Sequence, residues 1–148
     1  MLVRRGVLDS STATTILEPP KPPDPCDHFP DLAKAIVRLQ GACQTAESVA
    51  ICGDYDADGM TSTALLMVTL KCLGAQPIAA IPNRKSEGYG LNRDMVTRLH
   101  EQGIRLIVTV DNGVTAQEAL QQAENLSMEV ILTDHHTLPD SPLNVLCL

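Results

Sequence analysis

SVAICGDYDADGMTSTALL, residues 48–66, changes character twice within a short span. Its first five residues are apolar and partly β-branched, which suits a strand buried on both faces. Gly53 follows, then Asp54, Asp56 and Asp58 at alternate positions, then Gly59, a run of turn formers. From Met60 to Leu73 the chain is apolar nearly all round, which predicts a helix, and the most buried one in the molecule. Strand, acidic turn and helix together open a βα unit.

The same alternation recurs downstream. Apolar runs at Pro77–Ile81, Ile104–Val110 and Met128–Thr133 begin about 25–30 residues apart, the repeat of a βαβ unit. Asn92 is placed to cap a helix carrying Met95, Val96 and Leu99 on one face, and Gly103 to end it. Thr115 and Glu118 predict a T-x-x-E capping box on the next helix. The pattern predicts an α/β fold: a mostly parallel sheet with helices on both faces, of undetermined strand order.

Upstream, residues 1–45 read as short N-terminal helices and a proline-rich strap, and residues 46–148 as the α/β domain. Six of the ten prolines fall between Pro19 and Pro30, which predicts irregular or polyproline chain there. A short helix is expected within Val7–Leu17. Another is expected where Leu32, Ala35, Ile36 and Leu39 recur at helical spacing behind Asp31 as N-cap.

Composition narrows the function classes. The 148 residues are 44% hydrophobic and 20% charged, with a net charge of -7. Residues 106–148 hold six acids and no Lys or Arg. That balance is wrong for sequence-independent binding of nucleic acid, which rests on cations neutralising phosphates. With no Trp, two Tyr and one Phe, the chain also lacks a stacking platform for single-stranded bases. Five cysteines without a C-x-x-C pair argue against a disulfide framework and a thiolate zinc site. No apolar run approaches a membrane span, and no signal peptide is recognisable, so the cytoplasm is the expected compartment and no membrane contact is expected.

Chemistry concentrates at the predicted carboxyl ends of strands. Asp54, Asp56 and Asp58 follow the first strand, Asp111 the third, and Asp134, His135 and His136 the fourth. In an open α/β sheet those ends share one edge and line the ligand crevice. Several carboxylates crowded there cannot all stay ionised without cations. Oxygen donors mixed with imidazole suit Mn²⁺ or Mg²⁺, and a pair of ions about 3.5–4 Å apart fits a shared carboxylate set. The plainer alternative, turn formers and caps, accounts for any one segment but poorly for all three.

Four segments then resemble successive motifs of a known family: GDYDADGMTSTALL (Gly53–Leu66), PNRKSEGYGL (Pro82–Leu91), TVDNG (Thr109–Gly113) and LTDHH (Leu132–His136). They are similar to the DHH phosphoesterase superfamily, and the EGYG loop to its RecJ-like branch of 5′-to-3′ exonucleases specific for single-stranded DNA in repair and recombination. The resemblance spans about Ala46–Pro139 and makes the fold a partial DHH domain. It implies that Asp56, Asp58, Asp111 and His135 are metal ligands, with Asp111 bridging two ions of Mn²⁺ or Mg²⁺. It implies that His136 contacts the scissile phosphate and that Asp54 and Asp134 orient the ligands, Asp54 with the option of joining them. Cys52 stands where some relatives have a His ligand; its own reading is a buried strand residue.

Arg84 resembles a substrate-facing position, and with Lys85, Arg93 and Arg98 it makes a basic cluster. Tyr89, between two glycines, suits a lid or a contact to a base. Thr61 and Ser62, with Thr63, begin the apolar helix, where hydroxyls and free N–H groups either bind phosphate or cap. The expected reaction is metal-dependent hydrolysis of a phosphodiester, with single-stranded DNA as partner. Short oligonucleotides and cyclic dinucleotides are the alternative substrates within the superfamily. The superfamily's catalytic domain continues beyond the D-H-H motif with a further metal-binding Asp, whereas this chain ends 12 residues after His136 in SPLNVLCL, which reads as an orphaned tail. A second polypeptide carrying a C-terminal half is therefore an expected partner. The competing expectation is a non-catalytic or partner-dependent metal-binding fragment. A phosphoacceptor signalling domain explains neither the His pair nor EGYG.

Overall fold

The computed structural model describes residues 2–18, 21–137 and 145–147. After a 3-10 turn at Val3–Arg5, the elements run α1 (Ser10–Leu17), α2 (Pro25–His28), α3 (Leu32–Gln44), β1 (Ser48–Cys52), α4 (Ala57–Cys72) and β2 (Gln76–Ala80). They continue with α5 (Arg93–Glu101), β3 (Leu106–Val110), α6 (Gln117–Asn125), β4 (Glu129–Thr133) and β5 (Leu146–Cys147). The sheet is parallel throughout, in the order β2-β1-β3-β4-β5. From β1 the chain steps to β2 on one side and then returns to place β3 on the other. That reversal opens a crevice above the carboxyl ends of β1 and β3, where Cys52 pairs in register with Thr109.

Successive side chains alternate between two apolar layers. Ala50, Cys52, Ile107, Val130 and Leu132 pack with Met95, Val96 and Leu99 of α5 and Ala119, Leu120 and Ala123 of α6. Val49, Ile51, Leu106, Val108 and Ile131 pack on the other face with Ala35 and Ala42 of α3 and Leu70 of α4. All five β3 residues are buried, which explains a run with no polar alternation.

Local expectations met mixed outcomes. Asn92 caps α5 by accepting from Met95 N (2.9 Å), and Gly103 follows the helix at φ 85°. The capping box is absent: α6 begins at Gln117 behind Ala116, whose φ -85° and ψ 45° come with no side-chain cap bond. Asp31 precedes α3 but does not cap it; its carboxylate takes the Lys34 ammonium at 2.8 Å. The proline strap is not wholly irregular, because Asp24 accepts from Cys26 N and Pro25 starts α2 at a position where its missing N–H costs nothing. Pro19 and Pro20 lie outside the described residues. The end of the chain is not wholly orphaned, since β5 pairs with Ile131 and Leu132.

The largest correction concerns α4, expected to be the most buried helix. Only Gly59, Thr63 and Leu70 are buried, while Met60, Leu65 and Val68 are 51%, 68% and 64% exposed. A helix that is apolar all round has two faces fit for burial, and this sheet covers one of them. Ile36 of α3 is also 43% exposed.

Polar side chains tie α3 to the sheet. The Arg38 guanidinium donates to both Glu47 carboxylate oxygens (2.7 and 2.8 Å) and its Nε to Glu129 (2.6 Å). The Arg38 bonds hold Glu47 below the usual carboxylate range, against an opposing effect of burial. A depressed carboxylate contributes stability that is present above its unfolded pKa of about 4.3 and is lost as pH falls through the lower folded value. Arg38→Met is therefore expected to cost about 2 kcal/mol at pH 7 and less at pH 2–3, measured by urea denaturation at both pH values. An equal loss at both would show that Arg38 acts through packing alone.

Candidate metal centre

The crevice at the carboxyl ends of β1, β3 and β4 collects the predicted acidic and imidazole residues. Carboxylate oxygens of Asp54, Asp56 and Asp111 lie within 4.8 Å of one another. One ligand atom each of Asp111, His135 and His136 forms a second such group. Asp111 belongs to both, and its φ of 61° is a left-handed conformation unusual for a residue with a side chain. Its N–H continues the ladder to Thr133 O at 3.0 Å, so β4 holds it there.

Each carboxylate is set by a different local device. Asp54 is fully buried; its Oδ1 accepts from Asp56 N at 3.2 Å, and its Oδ2 has no hydrogen-bond partner. Gly59 is required beside it, since a Cβ there would collide with the Asp54 carboxylate. Asp56 caps α4, accepting from Gly59 N (3.0 Å) and Asp58 N (2.9 Å), and the Gly59 bond leads in lowering its pKa. Asp58 is exposed in the first turn of α4 and faces a groove of about 760 Å³ that Ser62, Asp111, Asp134 and His135 also line. The far wall of that groove is apolar, made by Pro25, Phe29, Leu32 and Ile36. The carboxylate of Asp58 stands outside both close groups.

At β4, Asp134 accepts from Val114 N (3.0 Å) and His136 N (3.0 Å), and its Oδ1 lies 2.7 Å from His136 Nδ1. Burial works to raise the Asp134 pKa, but the bonds from Val114 and His136 prevail and lower it. The same carboxylate raises the pKa of His136. His135 Nε2 sits 2.7 Å from Asp111 Oδ1, the oxygen's one close polar contact among the described residues. Buried carboxylate oxygens without donors are costly. Asp54 and Asp111 belong to close groups of carboxylate and imidazole ligand atoms that meet at Asp111, a set that fits a hard divalent cation.

The loop of residues 81–91 forms the rim. Tyr89 donates from its hydroxyl to Asp111 O at 3.3 Å, and its pKa is raised, first by Asp54, then by burial and by Asp111 and Asp56. Arg84 lies with its guanidinium carbon 5.1 Å from the Tyr55 ring centroid. The rest of the basic cluster disperses: Arg98 is engaged by Glu87 at 2.6 Å, and Lys85 and Arg93 are exposed. Ser62 lines the groove, whereas the Thr61 hydroxyl bonds back to Ala57 O at 2.8 Å. Thr63 is buried against Gly53. Cys52 is fully buried, and burial pushes its thiol up to about 12, which keeps it protonated.

Three residues carry structure here that the sequence reading gave no role. Glu87 closes the loop by accepting from Asn83 N (2.7 Å) and pairing with Arg98. Asn112, buried, donates to Cys52 O (2.9 Å) and Val110 O (2.8 Å) and accepts from Leu91 N (2.9 Å). Tyr55 packs between Arg84 and Tyr89. The quoted motifs contain Tyr55, Glu87 and Asn112, but no periodicity separates them from ordinary turn residues.

This parallel sheet carries its Asp–His constellation at the switch point, and the chain belongs to the DHH family, whose N-terminal domain matches residues 48–146. It is 39% identical over 146 residues to the single-stranded-DNA-specific exonuclease RecJ of Bacillus subtilis (strain 168), covering 95% of this chain and 18% of that protein. It is 39% identical over 118 residues to RecJ of Escherichia coli (strain K12), covering 79% of this chain and 20% of that one. The fold also superposes on a crystal structure of exonuclease RecJ bound to manganese, with TM-score 0.74, 38% identity and coverage of 81% of this chain and 31% of that chain. RecJ from Thermus thermophilus in complex with Mn²⁺ gives TM-score 0.71 and 34% identity, covering 88% and 18%. The chain thus spans about a fifth of the length of these curated relatives. Among the described residues no helix is long and apolar enough to cross a membrane.

Proposed function

We propose that this chain contributes the N-terminal part of a metal-dependent exonuclease site that hydrolyses phosphodiester bonds of single-stranded DNA in the 5′-to-3′ direction, in the cytoplasm. The observation that carries this reading is the pair of close donor groups that share Asp111, one with Asp54 and Asp56 and the other with His135 and His136. Residues 46–148 are the catalytic part in this reading, and residues 1–45 support it.

Asp56, Asp58, Asp111 and His135 would hold Mn²⁺ or Mg²⁺, with Asp111 shared because it belongs to both close groups. When bound, a cation pair supplies the Lewis acidity that phosphodiester hydrolysis at neutral pH needs. The side chains do the rest. Asp54 fixes the turn of residues 54–56 from within the fold, and Asp134 holds Nδ1 of His136 so that the ring faces a phosphoryl oxygen from its other edge. Arg84 at the rim offers a cation to the next phosphate, Tyr89 offers a ring to a base, and Ser62 lines the groove below. Thr61 assists through the helix N-terminus and not through its hydroxyl.

A partner-dependent fragment is the second reading, favoured by one observation: Met60, Leu65 and Val68 expose an apolar face of α4. Such a face on a central helix suits cover by further polypeptide, in the same or a second chain. The test is reconstitution. The chain mixed with the C-terminal remainder of a RecJ relative, in Mn²⁺, is expected to shorten labelled single-stranded DNA from its 5′ end and to spare duplex. His136→Ala should reduce turnover at least about a hundredfold while leaving Mn²⁺ affinity within a few-fold. Preference for a cyclic dinucleotide would place the chain elsewhere in the family, and no hydrolysis of either would support the non-catalytic reading.

A further inference from the structure

Tyr55 and Tyr89 are the two tyrosines of a chain without tryptophan, and both stand at the rim of the acidic crevice. Their rings meet edge to face, with centroids 5.9 Å apart and planes at 88°. Tyr89 in turn stands edge-on to His136, at 6.5 Å and 85°. Arg84 lies over Tyr55, its guanidinium carbon 5.1 Å from the centroid, within the range of a cation–π contact.

The manner in which Arg84 is held is informative. Arg98, which borders the same loop, is neutralised by Glu87 at 2.6 Å. Arg84 forms no ion pair among the described residues, although it stands near a crevice rich in aspartates. A ring face restrains a guanidinium without cancelling its charge, and leaves its N–H edge open to an anion. An aspartate partner would do the opposite.

We propose that Tyr55 is a positioning residue that holds Arg84, uncompensated, beside the crevice for a phosphodiester of a single-stranded oligonucleotide, and that Tyr89 braces the Tyr55 ring from the side of His136. Tyr55 acts through Arg84 and does not touch the reacting atoms. The inference rests on the exonuclease reading for its ligand and on the contacts above for its geometry.

Two measurements test it. The first needs no ligand: ring currents from Tyr55 should shift the Arg84 side-chain protons upfield in the wild type and in Tyr55→Phe, and the shift should vanish in Tyr55→Leu. The second is calorimetric binding of a short thymidine oligonucleotide, in Mg²⁺, to the chain reconstituted with the C-terminal remainder of a RecJ relative. Arg84→Ala should weaken it about tenfold, Tyr55→Leu about fivefold, and Tyr55→Phe less than twofold. The double variant should bind no worse than Arg84→Ala alone, because Tyr55 has then nothing to position. A wild-type complex that fails to bind the oligonucleotide would overturn the exonuclease reading and this inference with it. Binding that survives Tyr55→Leu, losses that multiply in the double variant, or an unshifted Arg84 in wild type would overturn the positioning role alone. The Tyr55→Phe result and the wild-type shift decide the matter even if Tyr55→Leu does not fold.

Discussion

Asp111→Asn is expected to abolish Mn²⁺ binding while leaving the metal-free protein as stable as wild type or more so. Asp111 is shared by the two close donor groups, one with Asp54 and Asp56 and the other with His135 and His136. Losing it breaks both. Outer partners of metal ligands already cost about 10–100-fold in affinity when removed, so a shared ligand should cost more than about a hundredfold. Asparagine is the informative substitution because it tolerates the left-handed backbone at φ 61° better than alanine does. It also removes one of three crowded carboxylates, which relieves like-charge repulsion in the empty site. The two readouts therefore move apart. Thermal unfolding without metal should occur at the wild-type temperature or above, and the upward shift that saturating Mn²⁺ gives the wild type should vanish. Calorimetric Mn²⁺ affinity within threefold of wild type would remove Asp111 from the site.

The asymmetry between fold and site follows from what each depends on. Strand positions were legible because burial on both faces demands apolar runs such as Leu106–Val110, which little else in a chain of this composition imitates. The convergence of Asp54, Asp111 and Asp134 was legible because parallel strands place all their carboxyl ends on one edge. Surface cover was not: the apolar residues of α4 read the same whether the sheet covers one face or further polypeptide covers both. Caps failed where backbone geometry, not residue type, decides. Thr115 has the right chemistry but lies inside the turn that Ala116 N closes on Gly113 O, one residue ahead of the N-cap position, and α6 has no side-chain cap bond. Boundaries moved by one or two residues, as at β2, because Gln76 N is recruited by Glu47 O to begin pairing before the apolar run starts.

Asn112 is the residue whose weight the sequence conceals most, and Asn112→Ala is expected to destabilise the fold by about 3–5 kcal/mol. In D-N-G an asparagine reads as a turn former, tolerated for its backbone and exposed to water. Here it is 2% exposed, and its amide joins three segments: Cys52 O at the end of β1, Val110 O at the end of β3, and Leu91 N in the EGYG loop. Truncation leaves two carbonyls and one N–H buried without those partners, at about 1–3 kcal/mol each before relaxation. The same truncation opens a space beside Gly90, which sits so close, at φ 63°, that a Cβ on it would fall 2.8 Å from Asn112 Oδ1. Since a domain of this size is stable by about 5–15 kcal/mol, a loss of this order removes at least about a fifth of the total. Urea denaturation should show a lower midpoint with an unchanged slope. Hydrogen exchange locates the cause: the Leu91 amide should lose protection beyond that expected from the global loss, because its acceptor is gone, while Val108 in β3 should follow the global change alone. The consequence for the site is indirect but definite. Leu91 anchors the loop that carries Arg84 and Tyr89, so releasing it frees the rim from Asp111 O, and the Tyr55–Tyr89 edge contact should disappear from the ring-current shifts even at low temperature, where the variant remains folded. A destabilisation below about 1 kcal/mol, with Leu91 still protected, would mean that water replaces the amide in all three bonds and that the β1–β3 switch point needs no side-chain brace.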